Sequence, residues 1–321
     1  MSDFPKAVTI NEEGPREGFQ IEPGPIPTSR KIDLIDALAS TGLRQIQTVS
    51  FVPPANVPGM ADADAVVAGI ERRPGVSYTA LWLNERGLLR ALASRKLDVF
   101  GTIGLCPSPG FLMRNQKRTP EQNHEAQRKI LQMYRNNDVP VRRGGLMAAF
   151  GCNFEGDIPV SRVVDMVGQL LALAQEAETA LDYVSLADTM AWATPASIQR
   201  VVGEVRNRYP DLRLSLHLHD TRGMGIANAY AGLQMGVDMF DAAVAGLGGC
   251  PFAGHRGAAG NVCTEDLVFL CDEMGIHTGI DLDRLIEAAA LAEDIVGHPL
   301  PGSVKTGGTL RKYRQARREA A

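Results

Sequence analysis

Short apolar runs rich in β-branched residues alternate with longer stretches of helical hydrophobic period along nearly the whole chain. The first pattern predicts strands buried on both faces, the second helices with one apolar stripe; their alternation predicts repeated βα units around a parallel sheet. Eight units can be counted. Strands are expected at 8–11, 46–51, 77–82, 97–103, 141–148, 183–187, 213–219 and 239–245. Helices are expected between and after them, at 29–39, 61–72, 87–94, 120–134, 161–178, 195–208, 227–235 and 264–273. Thr119 before Pro120 and Thr194 before Pro195 set a capping hydroxyl next to a first-turn proline, which fixes two of the helix starts. A further helix at 281–296 carries a stripe of Leu285, Ile286, Ala289 and Ala292, expected to pack on the rest of the fold or on a partner subunit.

Eight such units fit a closed barrel or an open doubly wound sheet. The open class announces itself by a Gly-rich phosphate turn after its first strand, whereas Gly14, Pro15, Arg16 and Glu17 follow here. We therefore expect a (β/α)₈ TIM barrel with an extra C-terminal helix, residues 1–300 forming one catalytic domain and 301–321 a basic, flexible tail. In a barrel, polar residues at the C-terminal strand ends converge on one mouth.

Composition narrows the function. A chain of 321 residues, 45% hydrophobic, suits one barrel with small extensions. A formal charge of -4 gives no basic field for nucleic acid, and Arg311, Lys312, Arg314, Arg317 and Arg318 read as a solvated terminus. The longest apolar stretch, around Leu170 and Leu173, is broken by Gln169, Gln175 and Glu176, so no membrane partner is expected. With no basic-then-apolar leader after Met1, the expected location is the cytoplasm. Five scattered cysteines argue against a disulfide framework and for any special cysteine acting as a thiol.

The most informative segment is 212–220, Leu-Arg-Leu-Ser-Leu-His-Leu-His-Asp. Alternation turns Leu212, Leu214, Leu216 and Leu218 toward the helices and Ser215, His217 and His219 toward the interior, two imidazoles side by side with room for an ion. Two imidazoles do not complete a divalent site, so oxygen ligands must come from other strand ends. Glu17 after the first strand and Asn261 in the loop after the eighth can reach, because strands seven, eight and one are neighbours in a closed barrel. Taken singly, Arg16 with Glu17 would be a surface ion pair and Gly260 with Asn261 a turn. The run 245–251, Ala-Gly-Leu-Gly-Gly-Cys-Pro, carries Cys250 into a glycine-rich loop, where a thiol can exchange protons; phosphate binding is the rival use of such a loop.

At these residues the chain resembles the 3-hydroxy-3-methylglutaryl-CoA lyases, within the wider superfamily of metal-dependent barrel lyases, aldolases and Claisen synthases. The resemblance runs from Gly14, Pro15, Arg16 through Ser50, Phe51, Val52 and Asp188, Thr189 to His217, Leu218, His219, Asp220. Its most specific part is 244–251 followed by 260–268. It implies metal ligation by Glu17, His217, His219 and Asn261, with Mg²⁺ or Mn²⁺ as the ion. It also implies that Arg16 steadies an enolate oxygen, that Cys250 takes part in proton transfer, and that Asp188 and Glu265 orient ligands. Asp220, beside His219, is a candidate for the base or its orienter. The implied reaction is a retro-Claisen cleavage: a tertiary alcohol loses its proton, the bond to the thioester α-carbon breaks, and acetyl-CoA leaves with a keto acid. An acyl-CoA substrate and a homodimer, the last helix offering the contact, belong to the same resemblance.

The chain departs from that pattern at four places. Glu17 stands where the family has Asp; Gln47 stands where it has Glu, so that a carboxylate that would offset Arg16 is neutral here; Gly145 replaces a pocket tyrosine; and the 251–261 loop is longer around His255 and Arg256. Two readings follow. Either Glu17 supplies the charge that Gln47 lacks and the substrate is unchanged, or specificity is altered. In the second case the space at 145 admits a larger acyl group, and His255 and Arg256 meet a carboxylate or the CoA phosphates. A citramalyl-CoA lyase, a Claisen-condensing acyltransferase and a binding protein without activity are the alternatives.

Overall fold

The computed structural model describes residues 4–249, 259–311, 313, 314 and 317. Eight parallel strands curl into one sheet: β1 (Thr9–Glu12), β2 (Gln45–Phe51), β3 (Ser77–Trp82), β4 (Gly101–Leu105), β5 (Val141–Leu146), β6 (Tyr183–Asp188), β7 (Leu214–Leu218) and β8 (Met239–Ala242). Their order is β3-β2-β1-β8-β7-β6-β5-β4, the cyclic order of a (β/α)₈ barrel. Around them lie α1 (Gly14–Ile21), α2 (Thr28–Ala39), α3 (Ala63–Gly69), α4 (Glu85–Ser94), α5 (Pro109–Gln116), α6 (Pro120–Asn136), α7 (Val160–Glu176), α8 (Pro195–Arg208), α9 (Gly225–Gln234), α10 (Thr264–Glu273), α11 (Leu282–Val296) and the four-residue α12 (Val304–Gly307).

The outward faces of the strands meet the apolar stripes of the helices. Leu214, Leu216 and Leu218 are fully buried on that side, and a side chain added at Gly232 of α9 would strike Leu216 at 2.5 Å, so helix and strand are in close contact there. Both threonine caps form: Thr119 and Thr194 accept from the third residue of α6 and α8, each in a reciprocal capping box. The apolar stripe of α11 is satisfied within the chain, with Leu285, Ala288, Ala289 and Ala292 buried. That helix packs on α2, α10 and the turn at Val244–Gly246.

The seam between β3 and β4 carries no strand ladder. At its base the Asp98 N–H donates to the Tyr78 carbonyl at 2.7 Å. Above that, side chains of α6 satisfy the backbone groups of β4. The Tyr134 hydroxyl accepts from the Trp82 indole at 3.1 Å and from the Thr102 N–H at 3.3 Å. Gln127 accepts from the Gly104 N–H at 2.9 Å, and Asn123 donates to the Gly104 carbonyl at 3.2 Å. This is why the fourth strand starts at Gly101 and not at 97: Asp98 is committed to Tyr78 in the connection before it.

Two other boundaries differ from expectation. The eighth strand stops at Ala242, because Val244–Gly246 forms a tight turn with Ala245 at φ 56°. The segment after β1, with no element expected for it, forms α1, started by Pro15 in its first turn. Glu17 is therefore presented by a helix and not by a strand end. Among the described residues no helix is long and apolar enough to cross a membrane.

Candidate active site

The mouth gathers groups from β1 and α1, from β7, and from the segment after β8. Interior positions of adjacent strands line up, Ala187 with His217 and His217 with Asp241. His219 forms an isolated bridge with Asn261. The Val262 N–H donates to the Leu218 carbonyl at 2.8 Å and the Asp220 N–H to the Gly260 carbonyl at 3.0 Å, which holds the returning segment against the end of β7.

Four side chains named from sequence meet. The two imidazole Nε2 atoms lie 3.2 Å apart, and Glu17 Oε1 lies 3.7 Å from Nε2 of His217. The Asn261 amide donates to Glu17 Oε2 at 2.7 Å, while its Oδ1 has no partner although the residue is only 1% exposed. Glu17, His217 and His219 form one of two side-chain groups among the described residues able to hold a metal ion.

The outer hydrogen bonds fix the imidazole tautomers. Nδ1 of His217 lies 3.1 Å from Asp241 Oδ2, and Nδ1 of His219 lies 2.9 Å from the Ala259 carbonyl. Neither oxygen can donate, so each Nδ1 carries a proton and each Nε2 faces inward. Burial, reinforced by the charge of His217, pushes His219 down to about 3, which keeps it neutral. For His217 burial also disfavours a proton, but Asp241, Glu17 and Glu13 outweigh it and raise the pKa. Two inward imidazole nitrogens, a carboxylate and an orphaned amide oxygen form a set of donor atoms that a cation would satisfy together. Nitrogen and hard oxygen donors in this mixture fit a divalent ion.

Below this cluster lies a charged layer that the sequence did not single out. Asp241 is fully buried and accepts from Arg143 at 2.6 Å and from Asn11 at 3.0 Å. Burial works against its charge, but Arg143 and His217 hold its carboxyl below the usual range. Glu13, 1% exposed, ion-pairs with Arg16, lies 3.4 Å from Arg143 Nη1 and lies 3.9 Å from His217 Nδ1. Burial, then the charge of Asp241, raises its pKa. Arg16 also meets Glu17 Oε1 at 3.0 Å and donates through Nε to Gln47 Oε1. Arg16 is thus not short of carboxylates: Glu13, one residue beyond the β1 ladder, stands in for the charge missing at Gln47. Strand alternation was the available signal, since Asn11 and Glu13 share the inward face.

Other named positions serve elsewhere. Asp188 accepts the N–H groups of Trp192 at 2.7 Å and Ala193 at 3.0 Å, and burial pushes it up to about 6. Thr189 accepts from the Ala148 N–H at 3.0 Å. Glu265 accepts from the Ala245 N–H at 2.9 Å, bracing the turn after β8. Asp220 accepts from the Gly225 N–H at 2.6 Å at the start of α9. None of these carboxylates hydrogen-bonds an imidazole among the described residues; His219 takes its orientation from Ala259. Gly145 faces the barrel interior. Cys250, His255 and Arg256 lie outside the described residues.

Known proteins share both sequence and shape. The family model described as HMGL-like matches residues 7–292. A hydroxymethylglutaryl-CoA lyase of Bacillus subtilis is 37% identical over 93% of this chain and 96% of its own length. The mitochondrial hydroxymethylglutaryl-CoA lyase of Gallus gallus is 39% identical over 88% of this chain and 92% of its own. Among solved structures, an HMG-CoA lyase of A. baumannii in complex with coenzyme A and 3-methylmalate superposes with a TM-score of 0.83 at 36% identity, covering 96% of this chain and 97% of that one. With a match that takes in every strand of the barrel and relatives aligned along most of its length, the chain belongs to the HMGL-like family.

Proposed function

We propose that this protein is a divalent-metal-dependent carbon-carbon lyase that cleaves 3-hydroxy-3-methylglutaryl-CoA, or a close 3-hydroxyacyl-CoA analogue, to acetyl-CoA and a keto acid. The observation that carries the reading is the convergence of His217 Nε2, His219 Nε2, Glu17 and the unpartnered Asn261 Oδ1 on one space beside Arg16. The named activity of the relatives supports it.

In this reading Glu17, His217, His219 and Asn261 hold Mg²⁺ or Mn²⁺. Such an ion, when bound, would lower the energy of negative charge on substrate oxygens. Arg16, held by Glu13, Glu17 and Gln47, presents its guanidinium where the thioester enolate forms and stabilises that charge without reorganising. The hydroxyl proton leaves to a base; the bond between C2 and C3 breaks, its electron pair stays on C2, and C3 becomes a ketone. Cys250 supplies or accepts a proton. Asp241 and Ala259 keep both imidazoles aimed inward.

The reading extends to one catalytic domain over 1–300 with a basic tail at 301–321, acting on acyl-CoA as a homodimer in the cytoplasm. The deciding experiment is incubation of the Mg²⁺- or Mn²⁺-loaded protein with 3-hydroxy-3-methylglutaryl-CoA and 3-hydroxyacyl-CoA analogues, following acetyl-CoA. Release of acetyl-CoA from at least one thioester is expected. A folded, metal-loaded protein that cleaves none of them overturns the assignment.

A further inference from the structure

Two glycines stand side by side in the interior wall opposite the candidate metal ligands. Gly104 of β4 and Gly145 of β5 are register partners. Neither has a positive φ, so the backbone does not demand glycine at either position. Neither is crowded: an added Cβ at Gly104 would meet nothing nearer than the Gly145 carbonyl oxygen at 3.7 Å, and one at Gly145 nothing nearer than the Ile103 carbonyl oxygen at 3.9 Å. Glycines on the outward face of the same strands differ. At Gly101 a Cβ would strike the Tyr134 ring at 2.6 Å, and at Gly144 the Leu181 side chain at 2.8 Å. Glycine weakens a strand, and where neither torsion nor packing requires it, it marks a close approach by something else.

The position says what approaches. In the cyclic strand order β4 lies across the barrel from β8, and β5 across from β1. Glu17 and Asn261 come from the segments following β1 and β8, so the open wall faces them. The orphaned Oδ1 of buried Asn261 is an independent sign that a ligand belongs in this interior. Of the nearby inward positions, Leu81, whose neighbour Trp82 turns outward onto Gly87 of α4, and Ala187, in register with His217, are aliphatic, while Ser185, the register partner of Gly145, is buried and accepts from Arg143 at 3.1 Å. A substrate held by its oxygens at the cation cluster would turn its C3 substituent toward that wall.

From this we infer that Gly104 and Gly145 set the acyl specificity, and that the substrate class is a 3-hydroxy-3-alkylglutaryl-CoA whose alkyl group is larger than methyl. The inference rests on the lyase reading above. The bond between C2 and C3 breaks; its electron pair goes to C2, which takes a proton and leaves as acetyl-CoA. C3 becomes the ketone of a 3-oxo acid that keeps the alkyl chain, and the hydroxyl proton passes to the base.

The test compares acetyl-CoA release from 3-hydroxy-3-methylglutaryl-CoA and from its 3-butyl homologue, using the full chain loaded with Mg²⁺. The butyl thioester is expected to have a kcat/KM at least equal to that of the methyl thioester. Gly104→Val and Gly145→Val are each expected to lower the butyl-to-methyl ratio by about tenfold or more, the scale on which a pocket discriminates one methylene. A wild type that cleaves the methyl thioester but disfavours the butyl one by about tenfold or more overturns the inference and leaves the lyase reading intact. An unchanged ratio in both folded variants also overturns it. Cleavage of neither thioester removes the lyase reading and this inference with it. The wild-type comparison stands without the variants, so a misfolded valine variant does not blunt the test.

Discussion

Nδ1 of His217 donates to Oδ2 of Asp241 across 3.1 Å, and that same oxygen accepts from Arg143 at 2.6 Å. One buried carboxylate therefore fixes the tautomer of an inward imidazole while neutralising a guanidinium beneath it. Replacing Asp241 by Asn is expected to weaken divalent-ion binding by about 10- to 100-fold, the usual cost of losing such an outer partner. Calorimetric titration with Mn²⁺ reads this directly, and native affinity in a folded Asp241→Asn protein would remove the assigned role.

Metal binding should also be visible as stability. An ion that binds only the folded chain adds about 2.7 kcal/mol at a hundred times its Kd. Saturating Mn²⁺ is expected to raise Tm, chelation to lower it, and the His217→Ala, His219→Ala double variant to show neither response. Elemental analysis of the same samples checks that the ion is absent from the variant.

Glu13 gives a rescue experiment. It ion-pairs with Arg16, which also donates to Gln47. Glu13→Gln is expected to lower kcat/KM by about tenfold or more, corresponding to about 1.4 kcal/mol of transition-state stabilisation. Adding Gln47→Glu should return most of the loss by restoring a carboxylate to the same guanidinium. Steady-state kinetics of the single and double variants decide; equal loss in both would mean that Glu13 acts by some route other than Arg16.

Glu265 sets a pH dependence of stability. Burial, with one oxygen unpartnered, pushes its carboxyl up to about 8 from an ordinary value of 4.5. The folded chain keeps this proton over a range where the unfolded chain has released it. The stability it contributes is therefore complete below the unfolded value and lost as pH rises through about 8. Between about pH 6 and about pH 9, Tm of the wild type should fall further than that of Glu265→Gln, by about 2–4 °C. Scanning calorimetry at the two pH values measures the difference.

Much of the architecture was legible because its signals are local. The alternation through 212–220 placed His217 and His219 on one face, and strand adjacency brought Glu17 and Asn261 to them. The charged layer was not legible in the same way, because Arg143 and Asp241 lie 98 residues apart in sequence and meet only across the barrel. Glu13 escapes for a simpler reason: the apolar pattern ends the first strand at 11, two residues before the inward position that matters. Asp188, Asp220 and Glu265 each accept at least one backbone N–H, an engagement that sequence spacing does not reveal. The seam was hidden too, since nothing in a helical period tells that Asn123, Gln127 and Tyr134 satisfy a strand edge.

That seam leaves the cylinder a single sheet with one unladdered join. Continuous ladders tie β1, β8 and β7, the side that carries the imidazoles, so the positions of their nitrogens are fixed by backbone geometry. On the far side β4 keeps its ladder to β5, while its other edge is held by amide and phenol groups of α6, joints that can rotate about side-chain bonds without breaking a ladder. The imidazoles thus sit on laddered backbone, and the one edge free to shift without parting two strands is the β3-facing edge of β4.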